Sequence, residues 1–296
     1  MRCPTLPSIR RRPLISAICG AAALQLLDLL APTSSSRSFL LPGAFAQQAE
    51  GTVWATPHSQ YSSSIGVLGC KVDTNRIAYW PGTVDCDKIC ISLSYEGRTV
   101  HLLRVDQSEG AFDVSYDAWN FLTTGSSARA NPTAGGAIAM EYREAKPEAC
   151  ASLLHTPDRK LPLSASNSIN FLYSCVSLKP SSWVAKNYVL YNVLDPICSW
   201  GHDEVCTPPD WAAGENQPKC KSGLGVPSVL TNQPVYNIEY PTGKVLSAAT
   251  GQVVDLPPSD NAAAAVDSGV RRVGVATKLA LYIASSWLVY AVAASI

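Results

Sequence analysis

Between Cys70 and Cys220 the chain carries eight cysteines, at positions 70, 86, 90, 150, 175, 198, 206 and 220. An even set in a chain sent to an oxidising compartment reads as four disulfides. Cross-links spread so widely leave room for little except a compact, stapled body. Eight cysteines permit about 105 pairings, and their spacing does not choose among these. Zinc is the competing chemistry. Cys86-x3-Cys90 and Cys198-x7-Cys206 lack the usual ligand spacing, and His202 has no histidine partner a few residues away. The cysteines Cys70, Cys86, Cys90, Cys150, Cys175, Cys198, Cys206 and Cys220 are therefore read as disulfide partners, with no metal and no cofactor expected.

The compartment is read from the two ends. Arg10, Arg11 and Arg12 precede an apolar run from Leu14 to Leu27, and Ala44-Phe45-Ala46 stands before Gln47. A charged region, an apolar region and a small-x-small site form the pattern of a secretory signal, here residues 1–46. At the other end Asp267-Ser268-Gly269 leads through a spacer to an uncharged stretch, Leu279 to Ile296. Small residues, a polar spacer and an apolar tail of roughly 10–20 residues make a glycosylphosphatidylinositol attachment signal. Ser268 or Asp267 is the expected attachment residue, and 268–296 the removed propeptide. The rival is a membrane span. It is barely long enough, and it would leave Arg271, Arg272 and Lys278 on the outer side, against the positive-inside tendency. Residues 247–267, with Pro257-Pro258 and Ala262 to Ala265, read as a flexible stalk. The expected location is the extracellular face of the membrane or the cell wall, with the lipid bilayer as partner through the anchor.

The charge balance divides the same way. The chain has 23 basic and 23 acidic side chains, yet eight of the basic ones sit in the two ends. The span 47–267 keeps 15 basic against 22 acidic residues, a net charge of −7. A body of that sign repels a polyanion, so no nucleic-acid partner is expected. Gly-x-Ser-x-Gly and phosphate-loop motifs are absent from the sequence.

The body reads as mainly β. Ile89 to Arg104 alternates on both sides of Glu96-Gly97, which predicts a hairpin. Ser115 is a candidate N-cap for a short helix with Asp117 in its first turn and Ala118, Trp119 and Leu122 on its apolar face. Asn131 to Gly136 predicts a turn and Ala137 to Arg143 a strand. Ser182 to Leu194 and Val235 to Tyr240 are again β-like, and Leu163 to Cys175 is a candidate helix.

These residues carry a resemblance. Cys-x3-Cys, the hairpin, Val105-Asp106, Phe112-Asp113-Val114-Ser115 with Ala118-Trp119, and Gly136-Ala-Ile-Ala-Met-Glu-Tyr142-Arg143 occur in that order. The series resembles the double-psi β-barrel of expansins, barwin-like proteins and family 45 endoglucanases. It spans about 66–150 of an expected body at 47–246. The resemblance implies a six-stranded double-psi barrel with short helices and a disulfide-linked C-terminal extension over 151–246. The whole chain also resembles secreted fungal proteins with a Tyr-Trp-Pro-Gly segment.

By that resemblance Asp113 stands where the endoglucanases hold their general acid, and Asp106 lies at the neighbouring strand end. Inverting glycosidases place two carboxyl groups across the scissile bond. The family's base comes from a Tyr-Trp-Asp segment, and here Tyr79-Trp80-Pro81-Gly82 lacks the Asp. Asp85 or Asp73 are the substitutes. Tyr79 and Trp80, held in a loop by Pro81-Gly82, are candidates to stack on a sugar ring, against Trp80 capping the barrel core. The expected function is a cell-surface barrel that binds or remodels wall polysaccharide without hydrolysis. The alternatives are an inverting glycoside hydrolase or transglycosylase with Asp113 as acid, and a protein-binding barrel such as a protease inhibitor or host-directed factor.

Overall fold

A computed structural model of the protein describes residues 50–256. The expected signal and attachment segments and residues 257–267 of the expected stalk, with the expected attachment residues Asp267 and Ser268, lie outside the described residues. Six strands close into a barrel in the order β1-β5-β2-β4-β3-β6. They are β1 (Glu50–His58), β2 (Ile77–Pro81), β3 (Cys90–Tyr95), β4 (Arg98–Ser108), β5 (Phe112–Ser115) and β6 (Ile138–Glu144). β1 runs parallel to β5 and β2 parallel to β4, whereas the remaining neighbours are antiparallel. Closure leaves the barrel itself without an edge strand. The hairpin of β3 and β4 turns at Glu96 and Gly97, both at positive φ, as the sequence predicts. The barrel takes in Glu50–His58, so it begins upstream of the expected start at Gly66.

Alternation along the strands gives the barrel two faces. Val53 and Ala55 of β1, Ala78 and Trp80 of β2, Leu93 of β3, Leu102 of β4, Val114 of β5 and Met140 of β6 form one buried cluster. Trp80 meets Phe112 edge-on at 5.0 Å and Tyr142 at 5.5 Å. Helix α1 (Tyr116–Thr124) follows β5 directly and adds Trp119 and Leu122 to that cluster. Ser115 precedes α1 as expected, yet its hydroxyl does not cap the helix. It accepts from the Ile77 N–H and donates to the Thr74 carbonyl, fixing the entry to β2. Asp117 likewise serves the tertiary structure. Its Oδ2 takes Arg76 Nη1 at 2.8 Å and its Oδ1 the Ala128 N–H, both within the interior.

The second buried cluster lies outside the barrel wall. It joins Ile77, Tyr79, Leu103 and Val105 to residues of a three-stranded sheet, β7 (Leu161–Ser164), β8 (Tyr188–Val193) and β9 (Gly201–Cys206). The four disulfides pair Cys70 with Cys198, Cys86 with Cys175, Cys90 with Cys150 and Cys206 with Cys220. The first two fasten the barrel side of this core to the later sheet and helices. Short helices α2 (Ile169–Tyr173) and α3 (Trp183–Lys186) sit between those strands. The segment 182–194 is thus a helical turn and then a strand, because the Ser182 hydroxyl accepts from the Ala185 N–H and starts a turn.

A small hairpin of β10 (Tyr236–Ile238) and β11 (Val245–Ser247) closes the described chain. Its turn glycine, Gly243, has φ +71°, and a Cβ there would lie 2.2 Å from the Ala128 carbonyl oxygen. Residues 247–256 do not form a free stalk. The Val254 N–H donates to Val245, and Arg129 Nη2 holds the Leu256 carbonyl at 2.8 Å. Backbone pairing with the hairpin orders a stretch whose composition alone reads as flexible. Among the described residues no helix is long and apolar enough to cross a membrane. The four disulfides fit a secreted or extracellular protein.

Candidate functional site

Strand register brings four polar side chains into one row. Thr56 of β1 is opposite Asp113 of β5, Asp113 is opposite Tyr79 of β2, and Tyr79 is opposite Asp106 of β4. Directly opposed residues share a face, and this is the outer one, since Val53, Ala55, Ala78 and Val114 point inward. A bulge in the β2–β4 pairing between Ala78 and Tyr79 turns Asp106 onto the row. The two aspartates stand two strands apart, about 9–10 Å between Cα atoms at ordinary strand spacing.

Their surroundings differ. Asp106 is 8% exposed. Its Oδ2 accepts from the Ser62 hydroxyl and its Oδ1 from the Ser64 N–H and the Gln107 N–H, each of the latter at 2.8 Å. The carboxylate thereby anchors the segment after β1 to the end of β4. Asp113 is half-buried and accepts from the Thr56 hydroxyl.

Tyr79 lies between them, 4% exposed, with its hydroxyl donating to the Gln60 carbonyl at 2.9 Å. His58 tilts over its ring at 4.4 Å between centroids. Burial pushes the Tyr79 phenol well above its ordinary range, and the Asp106 and Asp113 carboxylates add to the push. Tyr61, under the same roof, is raised by burial first and then by Tyr79 and Asp106. Both phenols therefore act as neutral hydrogen-bond groups.

Tyr79 and Trp80 were expected in a loop, but they lie in β2, a strand with neighbours on both sides. Trp80 points into the barrel at 4% exposure and fills its core. Neither ring offers an open stacking face. Asp85 is not brought to the row. It pairs with Lys179 Nζ at 2.6 Å and accepts from the Asp87 N–H at 2.8 Å. Asp73 folds onto its own turn, accepting from the Asn75 N–H. Neither lies on a strand paired with β5.

One residue of this face is missed by reading the sequence. Trp54 is 64% exposed in the middle of β1. It lies two residues before Thr56 and so on the same outer face, about 8 Å diagonally from Asp113. Its direct neighbour on β6 is Ala139, itself exposed, whose methyl leaves the indole uncovered. Glu141, opposite Thr52, continues this exposed face. The signal was the alternation Thr52-Val53-Trp54-Ala55-Thr56, upstream of the motif series.

The outer face therefore presents one open ring, Trp54, beside the half-buried Asp113 carboxylate, while Tyr79 and Asp106 are closed off from solvent. Among the described residues no group of three or more His, Cys, Asp or Glu side chains is placed to hold a metal ion. No family model, curated protein or solved structure matches the chain.

Proposed function

We propose that the protein is a cell-surface barrel of the double-psi, expansin-like type, and that it binds wall polysaccharide on the outer face of β1, β5 and β6 without hydrolysing it. The observation that carries this reading is Trp54. A large aromatic at 64% exposure, flanked by Ala139 and within reach of the Asp113 carboxylate, is the combination of ring face and acceptor that a sugar needs. The mixed parallel and antiparallel pairing supports the double-psi assignment, with residues 151–246 as an extension packed on the barrel. The apolar ends of the sequence supply the secretion signal and the lipid anchor at Ser268 or Asp267, and the disulfides agree with that route.

Hydrolysis is the second reading, favoured by the register that sets Asp106 and Asp113 two strands apart on one row. A separation of about 9–10 Å between the Asp106 and Asp113 Cα atoms allows carboxyl groups at the roughly 6.5–9.5 Å of inverting enzymes. Asp106, buried and accepting three hydrogen bonds, argues for the binding role instead.

The test is a pull-down on insoluble chitin, β-glucan and cellulose, with Trp54→Ala and Asp113→Ala beside the parent. Retention on one polymer that Trp54→Ala abolishes is the expected result. No retention on any, or retention indifferent to Trp54, would defeat the reading. Release of new reducing ends, lost in Asp113→Ala, would replace it with the hydrolase.

A further inference from the structure

The open Trp54 ring has a carboxylate diagonal to it on either side. On β5, Asp113 lies opposite Thr56, two residues after Trp54. On β6, Glu141 lies opposite Thr52, two residues before it. Diagonal neighbours of this kind stand about 7–8 Å apart. Two strand spacings across and four residues along then separate the Asp113 and Glu141 Cα atoms by about 16–17 Å, with the indole between them.

These two carboxylates are the ones on this face that lack a counter-charge. Strands β1, β5 and β6 carry Glu50, Asp113, Glu141 and Glu144 against the basic residues His58 and Arg143. Glu144 is taken by Lys88 Nζ at 2.9 Å, and Glu50 by Arg143 at 3.5 Å. The His58 ring lies over Tyr79. Asp113 accepts from the Thr56 hydroxyl, a neutral donor, and Glu141 is exposed with no ion pair among the described residues. The body around them has the same sign, −7 over 47–267. A half-buried carboxylate with one neutral donor gains from a cation, since the pair there is less screened than in open water. A neutral sugar chain satisfies the ring but leaves both charges unmet.

We infer that the polymer held on this face is a cationic amino sugar, a glucosamine chain. One ring stacks on Trp54, and the ammonium groups of the rings to either side pair with Asp113 and Glu141. This inference rests on the polysaccharide reading and adds to it the charge of the ligand. The two carboxylates lie too far apart for a single ring, so the ligand is an oligomer.

Titration calorimetry on the intact protein, at a mildly acidic pH that keeps the amines charged, tests it with three oligomers of equal length and linkage. Glucosamine, N-acetylglucosamine and glucose chains differ at the second ring carbon, as ammonium, amide and hydroxyl. The glucosamine chain is expected to bind about tenfold or more tighter than the other two, and to lose that margin at high salt. Asp113→Asn, which keeps an acceptor for Thr56, should weaken it about tenfold. Glu141→Gln should weaken it about three- to fivefold, and its exposed position keeps the test open if Asp113→Asn folds poorly. Trp54→Ala should weaken every chain that binds. Neutral chains bound as tightly as glucosamine, still through Trp54, would overturn this inference and leave the polysaccharide reading standing. So would glucosamine binding unchanged in Glu141→Gln. No binding of any chain, or binding indifferent to Trp54→Ala, would defeat both.

Discussion

Replacing Arg76 with Met tests whether the candidate face is held from behind by a buried ion pair. Arg76 Nη1 and Asp117 Oδ2 are 2.8 Å apart, and both side chains are 6% exposed. The same Nη1 also donates to the Asn75 carbonyl, and Asp117 Oδ1 receives the Ala128 N–H. The pair therefore links the entry of β2 to the first turn of α1 and to the loop that packs on Gly243. Removing the guanidinium leaves a buried carboxylate with one backbone donor. Breaking such a pair costs about 3–5 kcal/mol, because the remaining charge is uncompensated.

For a folded region of this size, each kcal/mol is worth roughly 2–4 °C, so Tm should fall by about 6–20 °C. Differential scanning calorimetry without reductant reads this directly. Arg143→Met is the internal control, because its contact with Glu50 is 3.5 Å and both partners are more than half exposed. An exposed pair contributes about 0–1 kcal/mol. Adding Asp117→Leu to Arg76→Met should recover part of the loss, since the stranded charge goes too. Recovery is incomplete because the Ala128 N–H loses its acceptor, at about 1–3 kcal/mol. An Arg76→Met melt no lower than that of Arg143→Met would refute the reasoning.

Three further outcomes are expected. Tyr61 and Tyr79 are raised above the unfolded value of about 10. Their contribution to stability is complete below that pH and is lost as pH rises past it. Ultraviolet titration should show these two phenols ionising only together with unfolding. An early, reversible titration of all tyrosines would contradict the burial argument. Trp80→Ala should cost about 3–5 kcal/mol in chemical denaturation, whereas Trp54→Ala should stay within about 0.5 kcal/mol; comparable losses would mean that the two faces of the barrel are misassigned. Cys206 and Cys220 enclose 14 residues against 128 between Cys70 and Cys198. On the chain-entropy account, Ser pairs at these sites should cost about 3 and about 5 kcal/mol respectively, and the reverse order of melting temperatures would count against that account.

Much of the barrel was legible because its signals are local. Glu96-Gly97 between two alternating runs names its own turn, and the helix after Ser115 begins where the change of period places it. The even cysteine count gave four disulfides but not their partners, since a pairing depends on which strands come together. The candidate site was only partly legible. Asp106 and Asp113 were singled out, and they do share a row with Tyr79. Asp85 and Asp73 were drawn away by partners that no spacing reveals, Lys179 and the turn at Asn75. Residues 247–256 looked flexible because backbone hydrogen bonds to β11 leave no trace in side-chain composition.

The tryptophans show where the two kinds of information divide. By itself the sequence determined the mainly β character, the hairpin, the helix after Ser115 and the cysteine set, because turn chemistry and period act over a few residues. Only the tertiary structure decided that Trp80 fills the barrel while Trp54 stands in solvent. Side chains point alternately to the two sides of each strand, and that period of two fixes opposite faces without saying which is covered. That choice belongs to strands distant in sequence: closure of the barrel buries one face of each strand, and the disulfide-tied sheet covers the other over β2 but not over β1 at Trp54.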